Sequence, residues 1–222
     1  MPNAGIYSVY GSSEAEPIAH IELFEITESD FAHMQTGKGL LAGLPVKEIK
    51  LATLPDNFGS PIGEFTEEEF EKEKLSSNMI GEIVVSGDHV LKEYIGGINL
   101  EGIKFKIGEE IWHRTGDAGY VDKEGRLWLV GRCNAKVSIE GNYIYPFSIE
   151  TAAMSYPNIK HVAFVQKNGV NILVAEPLIN KNIDIGALSK IQYVDEVRTM
   201  KIPMDKRHNS KTLYDNLIVE LQ

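Results

Sequence analysis

Between Thr115 and Arg132 the chain reads TGDAGYVDKEGRLWLVGR, and this stretch leaves the backbone little freedom. Apolar and polar residues alternate on both sides of Asp122-Lys123-Glu124-Gly125, which predicts two short strands around a tight turn. Asp suits the first turn position, and Gly supplies a left-handed residue at the exit into the second strand. Trp128, between Leu127 and Leu129, reads as packing. Turn and strands account for Asp122 and Gly125 without a ligand. They do not account for Thr115-Gly116-Asp117 at one end or Gly131-Arg132 at the other. A carboxylate just after a glycine can approach vicinal hydroxyls and accept two hydrogen bonds. An Arg at the other end of the hairpin can reach a hydroxyl or phosphate oxygen nearby. Either fragment alone recurs by chance.

The rest of the first 130 or so residues is also rich in β signals. Residues 60–65 (SPIGEF) and 80–87 (IGEIVVSG) are short apolar segments bounded by Gly, Pro, Asn and Asp, and residues 43–55 read as one strand. One helix is expected to interrupt them. Thr66 with Glu69 makes a capping box, and Phe65 and Phe70 stand at the positions of a hydrophobic staple. The acidic run 64–74 holds six of the 32 carboxylates and reads as a solvated helix face rather than a partner site.

Near Arg132 the texture changes to strand, helix, hairpin, helix, strand, helix. A strand is expected around Gly141, a helix at 148–156 after Pro146, and a hairpin turning at Asn168-Gly169. Residues 182–191 read as helical and 194–203 as extended. The tail puts Leu213, Leu217 and Leu221 on one helical face. The sum is an α+β chain: residues 1–132 a β-rich, barrel-like part, and 133–222 a small α+β domain of about 90 residues.

Bulk properties exclude some classes. A formal charge of −10 argues against a nucleic-acid surface. A single cysteine, Cys133, excludes an internal disulfide and fits a reducing compartment. No run approaches the length of a membrane span and the N-terminus is not a signal peptide, so a cytoplasmic protein is expected.

The spacing T-G-D-x-G-Y-x-D-x-x-G-x-L-W-L-x-G-R resembles the ribose-binding segment of the adenylate-forming superfamily, which includes acyl-CoA synthetases. Its neighbours stand in the family's order. Tyr10-Gly11-Ser12-Ser13-Glu14 is similar to the aromatic-Gly-x-Thr-Glu motif, with Ser13 for Thr. Residues 137–150 (VSIEGNYIYPFSIE) resemble the motif that opens the mobile C-terminal domain, with Gly141, Pro146 and Glu150 in register. Arg207-His208-Asn209-Ser210-Lys211 resembles the loop bearing the catalytic lysine. The resemblance covers nearly the whole chain.

That resemblance implies a ligase in which a carboxylic acid attacks the α-phosphate of ATP, and a thiol such as coenzyme A then takes the acyl group from the adenylate. Lys211 would bridge the two anions. Glu14 would hold Mg²⁺, and Ser13 would set a hydroxyl on the α-phosphate. Tyr10 and Gly11 would line the AMP site, with Tyr10 nearly as readable as a core aromatic. Asp117 would hold the ribose hydroxyls, with Arg132 beside it. Asn134 stands where the family has a hinge Asp or Lys, and Ser138 where many members have a lysine; the second departure bears on thiol transfer. Cys133 reads as structural. Fatty acid as the substrate rests on analogy alone.

The family's Gly/Ser/Thr-rich phosphate loop lies upstream of the Tyr-Gly motif, and only nine residues precede Tyr10 here. The glycines of residues 36–43 lack its Ser/Thr pattern and come after that motif. The expectation is therefore the end of the large domain plus a complete small lid, inactive without an upstream portion in the same or a separate chain. A stand-alone nucleotide-binding or regulatory module, or one half of a split ligase, are the alternatives.

Overall fold

In a computed structural model, residues 4–93, 102–206 and 211–221 are described. The chain divides into two compact units, Met1–Phe31 with Leu40–Asn134, and Ala32–Gly39 with Ala135–Gln222. The fold is α+β.

The first unit is built on β1 (Tyr7–Ser12), β2 (Ala15–Glu22), β3 (Leu40–Pro45), β4 (Ile49–Leu54), β5 (Gly81–Gly87), β6 (Lys104–Ile107), β7 (Glu110–Val121) and β8 (Leu127–Arg132). These make one sheet in the order β1-β2-β3-β8-β7-β5-β4, with β6 on β7, and every pairing is antiparallel. Hydrogen bonds join distant segments because each strand must pair its N–H and C=O groups once it leaves water. One face packs Phe70, Phe105 and Trp112 with Ala52, Leu54 and Val84. Phe70 and Trp112 have ring centroids 4.8 Å apart.

The helix expected after Phe65 is α2 (Glu67–Glu73), since α1 (Glu28–Gln35) precedes it in the chain. Thr66 caps α2 and Glu69 returns the bond to the Thr66 N–H at 2.8 Å. The staple closes as well, with the Phe65 and Phe70 rings 6.2 Å apart. α1 is an element that the sequence reading missed, although it carries the same signal with Asp for Glu. Thr27 Oγ1 accepts from the Asp30 N–H, and Asp30 accepts from the Thr27 N–H at 2.9 Å.

Two strand expectations are corrected. Residues 60–65 form no strand; Phe65 alone makes an isolated bridge to Ile107, because Pro61 has no donor and Gly63 no side chain to pack. The single strand expected at 43–55 is two, β3 and β4, with a turn at Lys47-Glu48 between them. Pro45 ends the first, and Ile49 donates its N–H back to the Val46 carbonyl.

The second unit opens with a hairpin, β9 (Val137–Ile139) and β10 (Asn142–Ile144), where one strand was expected. Its turn residues Glu140 and Gly141 both have positive φ, 50° and 80°. Next come α3 (Pro146–Met154), β11 (Ile159–Lys167), β12 (Val170–Pro177), α4 (Ile185–Leu188), β13 (Glu196–Thr199) and α5 (Tyr214–Glu220). Pro146 starts α3, where its missing N–H leaves no bond unmade. Asn168 and Gly169, φ 53° and 80°, turn the β11–β12 hairpin as expected. β13 runs parallel to β12, so β12 is the central strand of three.

Both faces of that sheet are covered. Val162, Phe164, Leu173 and Ala175 pack with Ile149 and Ala153 of α3 and with Leu188 of α4. Ala163, Val165, Ile172 and Val174 pack with Leu217 of α5 and Leu221. Two buried faces explain why β11 and β12 read as continuous apolar runs rather than alternating ones. α4 covers only four of the ten residues expected to be helical. In the tail Leu217 and Leu221 are buried, while Leu213, before the helix, is exposed.

Candidate nucleotide site

The site begins with β7 and β8. Asp117 faces Arg132 across the ladder, and the register then slips between Ala118 and Gly119, leaving Val130 unmatched. Such a bulge adds twist at a strand end and re-aims the side chains there. Gly116 has φ 69° and Gly131 φ 141°, values that a side chain tolerates poorly. A Cβ at Gly116 would also lie 3.0 Å from the Phe58 ring. These two glycines are therefore fixed by backbone geometry, which turn signals in the sequence did not explain.

Arg132 Nη1 donates to Asp117 Oδ1 at 2.7 Å, and the Tyr10 hydroxyl donates to Asp117 Oδ2 at 2.8 Å. Behind them, Thr115 Oγ1 accepts from the Asp117 N–H at 3.0 Å and donates to the Ile83 carbonyl at 2.9 Å. Thr115 was quoted in the motif without a role; it anchors the strand end that carries the carboxylate. The Asp117 side chain is 16% exposed and that of Arg132 47%, so the pair is reachable from solvent. Burial, and then the Asp117 charge, push the Tyr10 phenol well above its ordinary range. Burial works against the Arg132 charge, but Asp117 outweighs it and holds the guanidinium above its usual value. Tyr10 is thus a neutral donor and Arg132 a fixed cation. A carboxylate offers about four lone-pair positions. With one spent on each neighbour, Asp117 keeps capacity for two hydroxyl donors.

Ser13 and Glu14 make the turn between β1 and β2. Glu14 N–H reaches Ser12 Oγ at 3.3 Å, and the Glu14 carbonyl accepts from the Leu91 N–H. Ser13 is exposed and Glu14 half-buried. Gly11 sits where β1 bulges, and a Cβ there would meet the Ala15 carbonyl oxygen at 2.8 Å. The Glu14 charge is felt by Lys104 and by the buried His113, two neighbours that the sequence reading did not single out. Burial lowers Lys104 to about 8, and Lys104 donates to the Leu91 carbonyl. Among the described residues no group of three His, Cys, Asp or Glu could hold a metal. One carboxylate with substrate phosphates and water is a usual set of Mg²⁺ ligands, and Glu14 could supply that carboxylate.

Asn134 lies in a short 3-10 turn, Cys133–Ala135, with negative φ, and is the last residue of the first unit. Cys133 is buried. Asp122 is absorbed by the hairpin as expected, accepting from the Arg126 N–H and Nε and from Trp128 Nε1. Trp128 is 1% exposed, in line with packing. In the second unit Lys211 is exposed, and its carbonyl accepts from the Asp205 N–H at 2.8 Å. Arg207 to Ser210 of the same motif lie outside the described residues.

No family model matches the chain. It is 28% identical over 165 residues to 4-coumarate-CoA ligase 1 of Narcissus pseudonarcissus, covering 74% of this chain and 26% of that one. It is 28% identical over 167 residues to the 2-succinylbenzoate–CoA ligase of Arabidopsis thaliana, covering 71% and 27%. Among solved structures, O-succinylbenzoate coenzyme A synthetase (MenE) from Bacillus subtilis in complex with AMP has the same fold, with a TM-score of 0.70 at 21% identity. The match covers 96% of this chain and 40% of that one. In sequence and in fold the chain resembles the adenylate-forming enzymes. It spans about a quarter of the length of the curated relatives it matches, a share that fits their C-terminal portion.

Proposed function

We propose that the chain is the C-terminal part of an ATP-dependent carboxylic acid ligase that forms an acyl-adenylate and passes the acyl group to a thiol such as coenzyme A. In this reading residues 1–132 end the large domain and 133–222 form the mobile lid, with Asn134 as hinge. The observation that carries it is the trio Tyr10, Asp117 and Arg132. Asp117 has two lone pairs left for the vicinal hydroxyls of a ribose, Tyr10 lines the site, and Arg132 holds the carboxylate in place through its hydrogen bond. The Ser13 hydroxyl would donate to an α-phosphate oxygen. Lys211 supplies the cation that lets a carboxylate approach that phosphate and follows the charge into the transition state. Mg²⁺, held by Glu14, would neutralise phosphate charge when bound.

Fatty or aryl acids are the proposed substrates, and the cytoplasm is the proposed compartment. Ser138, in place of a lysine, makes thiol transfer the less supported half of the reaction. These 222 residues include no phosphate loop, so the chain alone is expected to be inactive. Pyrophosphate release from ATP with a panel of fatty and aryl acids checks this; turnover in the ordinary range of about 1–10³ s⁻¹ would refute it.

Calorimetric titration of AMP tests the site itself. The parent chain should bind AMP, and Asp117→Ala should weaken binding by about 10- to 100-fold, the worth of charged hydrogen bonds. Equal affinities would remove Asp117 from the nucleotide site. A second reading draws on the trio being assembled inside one unit: a binding module that holds AMP without turnover. Activity restored by adding an upstream-encoded polypeptide favours a split ligase instead.

A further inference from the structure

Lys211 stands on one stem of the segment between β13 and α5, and the two stems pair with each other. The Asp205 N–H donates to the Lys211 carbonyl at 2.8 Å, the Leu213 N–H donates to the Pro203 carbonyl at 2.9 Å, and Met204 bridges Thr212. A pairing this short cannot fix its own position, because two hydrogen bonds do not offset the entropy of ordering so many residues. It needs anchors in the core.

Two buried carboxylates supply them. Glu176 of β12 accepts the Ile202 N–H at 2.9 Å and Lys160 Nζ at 2.7 Å, and so holds the incoming stem. Glu150 of α3 accepts the Phe164 N–H at 2.9 Å and the Tyr214 hydroxyl at 2.8 Å on the same oxygen, Oε1. Tyr214 is three residues after Lys211. We propose that Glu150 and Tyr214 are positioning residues for Lys211, fixing the outgoing stem to α3 and to the middle of β11. The assignment rests on Lys211 being the lysine that bridges the two anions.

The chemistry favours this over simple core filling. A carboxyl group is a costly choice for a buried site, and an apolar residue would pack there without a desolvation penalty. Glu150 instead gathers two donors from elements far apart in sequence. Burial lifts its carboxyl to about 7, the two hydrogen bonds working against that rise. A proton carried on Oε2 leaves Oε1 as a carbonyl acceptor, so the tie through Oε1 can persist in either protonation state.

Amide exchange followed by NMR on the chain itself tests the tie. Tyr214→Phe removes the hydroxyl and keeps the ring. Glu150→Leu removes the acceptor, while Glu150→Gln keeps a carbonyl oxygen in its place. The Asp205 and Leu213 amides should exchange at least about tenfold faster in Tyr214→Phe and Glu150→Leu, measured against Val174 in β12; Glu150→Gln should stay within about threefold of the parent. Should Glu150→Leu not fold, Tyr214→Phe carries the comparison. Unchanged exchange in Tyr214→Phe, or a rise shared equally by Val174, overturns the proposal. The catalytic reading of Lys211 fails by a different result. If Lys211→Ala leaves adenylate formation unaltered in the chain joined to an upstream part, the lysine is not the bridging group, whatever the exchange shows.

Discussion

A buried ion pair between β5 and β7 shows how much a single residue can carry. Arg114 and Glu82 are both fully buried. Arg114 Nε and Nη2 grip the Glu82 carboxylate at 2.6–3.0 Å, and Nη1 donates to the Ser60 and Gly102 carbonyls. Burial pushes the Glu82 carboxyl up in spite of the guanidinium, so the pair is costly to hold and more costly to split. Arg114→Met should cost about 3–5 kcal/mol in urea unfolding, because it leaves an uncompensated carboxylate inside. The double change Glu82→Leu with Arg114→Met should recover most of that loss. A single variant within about 1 kcal/mol of the parent would show that water or a new partner reaches Glu82. Neither residue announced this role in the sequence. They stand 32 positions apart and meet only because β5 pairs with β7.

At the scale of elements, what was legible was local. The 115–132 hairpin, the α2 capping box and the Asn168-Gly169 turn each depend on residues within a few positions, and each was read directly. α1 was missed because its box uses Asp30, which also pairs with Arg126, 96 residues away. The joining of β2 to β3 had no signal at all. It depends on Gly43, whose φ is 96° and whose missing Cβ makes room for the His20 carbonyl oxygen, 2.1 Å from where that atom would lie. Gly43→Ala should therefore part β2 from β3. The expected loss is more than about 1 kcal/mol from backbone strain alone, with the clash added to it. Amide exchange at the paired residues Ala19 and His20 would report it, and unaltered protection there would show that the backbone shifts to make room.

At the scale of the whole molecule, two buried groups in different units, Glu150 and His113, should contribute to the pH dependence in opposite senses, and Glu82, which burial also raises, adds to the first unit a term of the Glu150 sign. Burial lifts Glu150 from 4.5 to about 7. Between those values the folded state holds a proton that the unfolded chain has released, so the second unit loses stability as pH rises through that window. Burial lowers His113 from 6.5 to about 4. There the unfolded chain takes up the proton first, and the His113 contribution to the first unit's stability is lost as pH falls from about 6.5 to about 4. Each effect is at most on the order of 3 kcal/mol. Native-state exchange at Val174 and Ile83, corrected for intrinsic rates, should show the two slopes. Glu150→Gln should flatten one and His113→Gln the other. Slopes of the same sign that neither variant changes would rule the assignment out.

The sequence by itself determined the local pieces, because turn chemistry, capping and strand alternation act over a few residues, and it carried the family resemblance, because four motifs stand in one order. Tertiary structure alone decided the working contacts. Tyr10 meets Asp117 across 107 residues, and Glu150 meets Tyr214 across 64. A hydrogen bond needs an approach of about 3 Å. No local pattern can specify an approach that depends on how β1 is set against the end of β7, or α5 against α3.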